Sequence, residues 1–133
     1  MFLKVLASFL LLMNGVGAVY GGWMLISHPD GSGFGMPLSI LQYSPFTDFF
    51  IPGIILFIVN GLGSLLVFVL LFRRVRKYEW YVIGEGAILT GWIFIQVILI
   101  RGVGAPHFIF GAIGLLLIIT GWLLGRKELV ISN

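Results

Sequence analysis

An all-α fold, a polytopic membrane bundle of four helices, is what this sequence predicts, on three observations. Four apolar runs, Phe2–Ile26, Phe49–Phe72, Tyr81–Ile100 and Phe108–Leu124, fill most of the 133 residues. Each approaches the length a helix needs to cross a hydrocarbon core of about 30 Å, the last being the shortest. Only 10% of residues are charged and 59% are hydrophobic, with a mean hydropathy of +1.12, whereas a soluble domain carries about a quarter charged residues. The basic residues also alternate between the ends of the runs in the pattern of a topology signal. The chain therefore reads as a single transmembrane domain, 1–133, embedded in the lipid bilayer.

The first run has a basic residue, Lys4, ahead of it and a passable cleavage site at Val16-Gly17-Ala18. Its continuation to Ile26 exceeds an ordinary signal-peptide core, so a retained span is expected. The loop 27–48 follows. His28-Pro29-Asp30-Gly31-Ser32-Gly33 is rich in turn residues and ends the first helix. Pro37 suits the first turn of a short interfacial helix through Tyr43, with Leu38, Ile40 and Leu41 turned to the membrane surface. Ser44-Pro45 reads as an N-cap and first helical residue, or the second helix starts nearer Thr47; Asp48 favours its positive dipole end. Pro52, in the opening turns, is a candidate bend.

Arg73-Arg74-Val75-Arg76-Lys77 separates the second and third runs, and Arg126-Lys127 follows the fourth. With Lys4, seven of the eight basic residues fall on one side of a four-span arrangement, Arg101 alone on the other. That distribution predicts a cell-membrane protein with both termini cytoplasmic and the 27–48 loop outside. Tyr78, Trp80, Tyr81 and Trp122 mark the inner interface, and Trp23, Tyr43, Phe46, Phe49 and Phe50 the outer one.

Residues 15–26 (GVGAVYGGWMLI) match 84–95 (GEGAILTGWIFI) at six of twelve positions without gaps. Chance agreement would be about one in ten per position, so an internal repeat of a two-span hairpin is expected. Its copies would be parallel, related by an axis normal to the membrane. Shared helix-packing grammar is the competing explanation. Small residues supply the packing surfaces that lipid-embedded helices need. They are Gly15, Ala18 and Gly22 on the first helix, with Gly17 and Gly21 adjacent; Gly61 and Ser64 on the second; Gly84, Ala87 and Gly91 on the third; Gly111, Gly114, Gly121 and Gly125 on the fourth. A leftover stripe would serve a homodimer or a membrane-protein partner.

Five polar side chains fall within or at the edge of the runs: Asn14, Asn60, Glu85, Gln96 and His107. Glu85 is the most informative, since a charge near a helix centre costs about 2.5–3.5 kcal/mol on insertion. It shares a helical face with Trp92 and Gln96 and replaces the Val16 of the first copy. Two readings stand open: a protonatable or cation-binding group in a cavity, or a carboxylate paired with Arg73, Arg74 or Arg76. Asn14 and Asn60 suit interhelical hydrogen bonds, each worth about 0.6 kcal/mol, or a cavity lining. His28 and His107 are weak metal candidates on the outer side, with no spacing that demands a metal. Arg101 is expected on Asp48, Asp30 or a lipid phosphate.

No cysteine is present and no catalytic grouping or phosphate-cradling loop emerges, so neither an enzyme nor a cofactor is expected, and the dispersed charges do not suit nucleic acid. The layout, carried by GVGAVYGGWMLI, IPGIILFIVNG and EGAILTGWIFIQ, resembles small four-span bacterial membrane proteins, loosely the DoxX-like group. Some of that group work as membrane partners of redox enzymes, a role for which this chain shows no quinone or haem signature. The expected function is a non-enzymatic accessory or structural subunit. The alternative is a small transporter or binder of a lipophilic or cationic ligand, using Glu85, Asn14, Asn60, Gln96 and Trp92. The partner of Glu85, cavity or arginine, separates the two.

Overall fold

The computed structural model describes residues 2–102 and 104–132, with the side chains of 100, 105–106 and 128–132 outside the description. Four helices long and apolar enough to cross a membrane form it: α1 (Phe2–Ser27), α2 (Phe50–Phe72), α3 (Tyr78–Ile100) and α4 (Ala105–Ser132). Among the described residues there is no strand. The fourth helix is longer than its apolar run because nothing in Gly125-Arg126-Lys127 stops it; lysine and arginine are good helix formers that extend it past the bilayer.

The helices form a closed square. Each packs on two neighbours, α1 on α2 and α4, α3 on α2 and α4, and the two hairpins, α1–α2 and α3–α4, hold the most extensive contacts. Hydrophobic burial does not drive this association in lipid, so backbone approach at small residues matters. A Cβ added to Gly22 would sit 2.7 Å from the Phe57 backbone nitrogen, and one on Gly53 3.2 Å from the Gly22 carbonyl oxygen. Gly15 faces Leu65 and Gly61 in the same seam, with Ala18 buried beside them. In the second hairpin Gly86 meets the Gly114 backbone, and Gly121 meets Ile83 and the Glu79 carbonyl. Gly111 is looser, 3.9 Å from Ile93.

The stripe expected on α3 is corrected by these contacts. Gly84 and Gly91 have open space where a Cβ would be, and Ala87 is exposed. The seam runs through Gly86 and Thr90, on another side of the helix. The first helices of the two hairpins, α1 and α3, thus pack through non-equivalent faces.

Helix α2 is not uniformly α-helical. Residues Leu56–Leu62 form a π-helical stretch between α-helical segments Phe50–Ile55 and Gly63–Phe72. Pro52 costs no backbone bond, because the first-turn N–H it lacks has no intrahelical partner to lose. The distortion begins one turn later, at Leu56, and includes Asn60 and Gly61.

The long loop holds a short helix where the sequence places one, 3₁₀ rather than α. It contains two short 3₁₀ turns, Ser32–Phe34 and Leu38–Leu41, with Pro37 extended ahead of the second. Ser44 does not cap α2; its hydroxyl donates to the Leu41 carbonyl and accepts from the Phe46 amide, closing a turn. The helix starts at Phe50, whose amide donates to Asp48 Oδ1 at 3.0 Å. Leu41 is buried with Leu25 and Phe49, which seats the loop on the end of the α1–α2 hairpin. Gly31 takes a positive φ of 83°, a conformation open to glycine without steric cost.

Candidate functional site

Three helices meet at one chain of hydrogen bonds. Asn14 Nδ2 on α1 donates to Ser64 Oγ on α2 at 2.7 Å. The Ser64 hydroxyl donates in turn to Glu85 Oε1 on α3 at 3.0 Å. All three side chains are buried, Glu85 to 5% exposure. Gly63 makes room for the acid: a Cβ there would lie 3.1 Å from Glu85 Oε2. Thr120 contributes a further buried polar side chain from α4.

The arginine pairing is not formed. Among the described residues Glu85 makes no ion pair, and Arg73, Arg74 and Arg76 all lie exposed in the turn after α2. That turn carries Arg74 and Lys77 in the left-handed conformation, as a tight connection between antiparallel helices requires. Glu85 instead lies on the interior stripe Tyr78, Val82, Glu85 and Leu89, at helical spacing.

One turn from Ser64, in the π-helical stretch, Asn60 is fully buried, and neither its Oδ1 nor its Nδ2 has a hydrogen-bond partner. An amide buried so costs about 1–3 kcal/mol by mutational data, and π-helical segments are frequent at functional sites. Trp92 Nε1 is also buried and unpartnered, two turns along α3 from Glu85. Gln96, a further turn on, is half-buried. Of the residues the sequence offered as candidates, Asn14, Asn60 and Glu85 are buried in the bundle, while Trp92 and Gln96 are half-buried farther along α3. Sequence reasoning read Ser64 as a packing residue only, and missed Gly63 and Thr120. The available signal was the four-residue spacing of Asn60 and Ser64, which puts both on one helix face.

The other candidates are local. His28 Nδ1 lies 3.2 Å from its neighbour Ser27 Oγ, and His107 Nδ1 accepts the Gly104 amide at 2.9 Å. Among the described residues no three His, Asp or Glu side chains gather as a metal would need. Arg101 stacks on Tyr43, its guanidinium carbon 3.9 Å from the ring centroid, in place of the expected aspartates. Asp30 holds a turn: its Oδ1 accepts the Ser32 amide at 3.0 Å, and that bond keeps its carboxyl below the ordinary value of 3.8. A groove of about 530 Å³ lies away from the network, between α1 and α2, lined by apolar and aromatic residues such as Val16, Tyr20, Trp23 and Phe57.

No family model, curated protein or solved structure matches this chain.

Proposed function

We propose that the chain is a small membrane binder or transporter of a cationic ligand, with Glu85 as the intramembrane acceptor. The observation that carries this reading is the Asn14–Ser64–Glu85 chain, which holds a carboxylate inside the bundle with no basic partner among the described residues. A carboxylate at that depth needs a proton or a cation to neutralise it. The unpartnered Asn60 amide one turn away offers further polar contacts. The basic loop and tail support an orientation with both termini in the cytoplasm and the 27–48 loop outside.

The test is equilibrium dialysis of the purified, detergent-solubilised protein with tetraphenylphosphonium, a lipophilic cation. The expectation is saturable binding that weakens as the pH falls, because protons compete for the carboxylate, and at least a ten-fold loss in Glu85→Gln. Equal binding by wild type and Glu85→Gln would remove the reading.

The open Gly84–Ala87–Gly91 face favours a second reading, an accessory subunit packing on itself or a membrane partner. It leaves room for a neighbouring helix to approach. Disulfide cross-linking of Ala87→Cys in membranes tests the self-association form.

A further inference from the structure

We infer that the ligand reaches Glu85 from the loop-bearing side of the bundle, between α2 and α3, and that the segment Leu38–Tyr43 covers this entrance. The inference rests on the cation-binding reading of Glu85 and assigns its side of access.

The interior is built asymmetrically about the network. Toward the termini, the next turns present Leu11, Val67 and Val82, each no more than 7% exposed, and then Ala7, Leu71 and Tyr78. These form a mainly apolar layer, in which Thr120 of α4, level with Val82, is the buried polar side chain. Toward the loop, the same interior carries Asn60 and then Trp92, both with unpartnered polar atoms, and then Gln96. From Glu85 to Trp92 the rise is about 10 Å, so the file crosses the middle of α3 (Tyr78–Ile100) toward the loop. Leu89 and Ile113, buried at this level with Ile93 and Phe110 packed beside them, narrow it.

Packing agrees with that direction. Helices α2 and α3 touch mainly along Gly63–Phe72, less along Leu56–Leu62, whereas Phe50–Ile55 packs on α1. The pair therefore parts toward the loop. Across that opening lies Leu38–Leu41, which touches α3 while Leu41 is seated against Leu25 and Phe49. Arg101 fastens it. This residue ends α3 in the left-handed conformation, φ 59°, and lays its guanidinium on the Tyr43 ring. A cation on an aromatic face at an exposed site holds a segment weakly enough to release.

The chain has no native cysteine, so single cysteines report access directly. Asn60→Cys and Gln96→Cys are labelled with an impermeant, positively charged methanethiosulfonate in closed vesicles of each orientation. Ser32→Cys marks the loop side and Arg76→Cys the terminus side, and size-exclusion profiles establish that each variant is folded. The expected result is labelling of positions 60 and 96 only where Ser32→Cys labels, and about three-fold faster labelling of position 60 once Arg101→Gln is added. Val82→Cys should stay unlabelled from both sides. Labelling of position 60 only from the Arg76→Cys side, or from neither side, overturns the route; an unchanged rate in Arg101→Gln overturns the cover. Labelling needs no bound ligand, so failure of tetraphenylphosphonium to bind would remove the cation reading while the accessibility pattern still decided the route.

Discussion

The Ser64 hydroxyl donates to Glu85 Oε1 at 3.0 Å while accepting from Asn14 Nδ2, so one side chain ties α2 to both α3 and α1. With a single proton to give, Ser64 has its donor spent on the acid and one of its two lone pairs on the amide. The network is directional: the amide orients the hydroxyl, and the hydroxyl orients the carboxylate.

Removing the hub should therefore cost more than removing an end. In Ser64→Ala the carboxylate and the Asn14 amide both lose their interhelical partner. Thermal unfolding in detergent should show Ser64→Ala below Asn14→Ala. A double-mutant cycle between the two should give a coupling of about 0.6 kcal/mol, with about 1.7 kcal/mol as the upper end for membrane hydrogen bonds. Zero coupling would mean the two side chains do not act together.

The second prediction concerns the α3–α4 seam. A Cβ on Gly86 would lie 2.8 Å from the Gly114 carbonyl oxygen and 2.9 Å from the Ile118 nitrogen. Those are backbone atoms that a rotamer change cannot move. Gly86→Ala should destabilise by about 1–3 kcal/mol, the range for overpacking a filled interior. Gly84→Ala, two residues away with open space around it, should leave the monomer's unfolding temperature unchanged or slightly raised.

That contrast shows what could be read from the residues and what could not. The spans were legible because lipid imposes length and apolarity on every crossing helix. The packing faces of α3 were not. In lipid both the inward and the outward side of a helix are apolar, so glycine spacing alone had to choose between Gly84 and Gly86. Asn14, Asn60 and Glu85 stood out because polar groups at that depth are costly. Ser64 was not legible as the partner of Glu85, because a small residue on a span serves packing equally well and the nearby basic turn offered arginines. No residue in Leu56–Leu62 announces a π-helical turn, and the Arg101–Tyr43 contact joins segments more than fifty residues apart.

A third prediction follows from Asp30. Its folded carboxyl is held below 3.8 by the Ser32 amide, so its contribution to the loop is present above the unfolded value and lost as pH falls through the folded one. The side chain is fully exposed to solvent, so this is a local effect. Hydrogen exchange at the Ser32 amide should be unchanged from pH 7 to pH 5 after correction for intrinsic rates, and accelerate below pH 3.8. Asp30→Asn, which keeps an acceptor oxygen without the charge, should abolish the acid-side acceleration.

The last prediction sets stability against binding at Asn60. Its amide sits at 0% exposure with both polar atoms unpartnered, in a bundle whose neighbouring side chains are mostly apolar. An isosteric apolar residue removes that desolvation penalty, about 1–3 kcal/mol on mutational scales, without opening a cavity. Asn60→Leu should therefore unfold at a higher temperature than wild type. If the amide is retained for a ligand, the same substitution weakens tetraphenylphosphonium binding, so the two measurements move in opposite directions. Stabilisation with undiminished binding would detach Asn60 from the site. Destabilisation would show that the amide is satisfied within the folded bundle and serves its architecture.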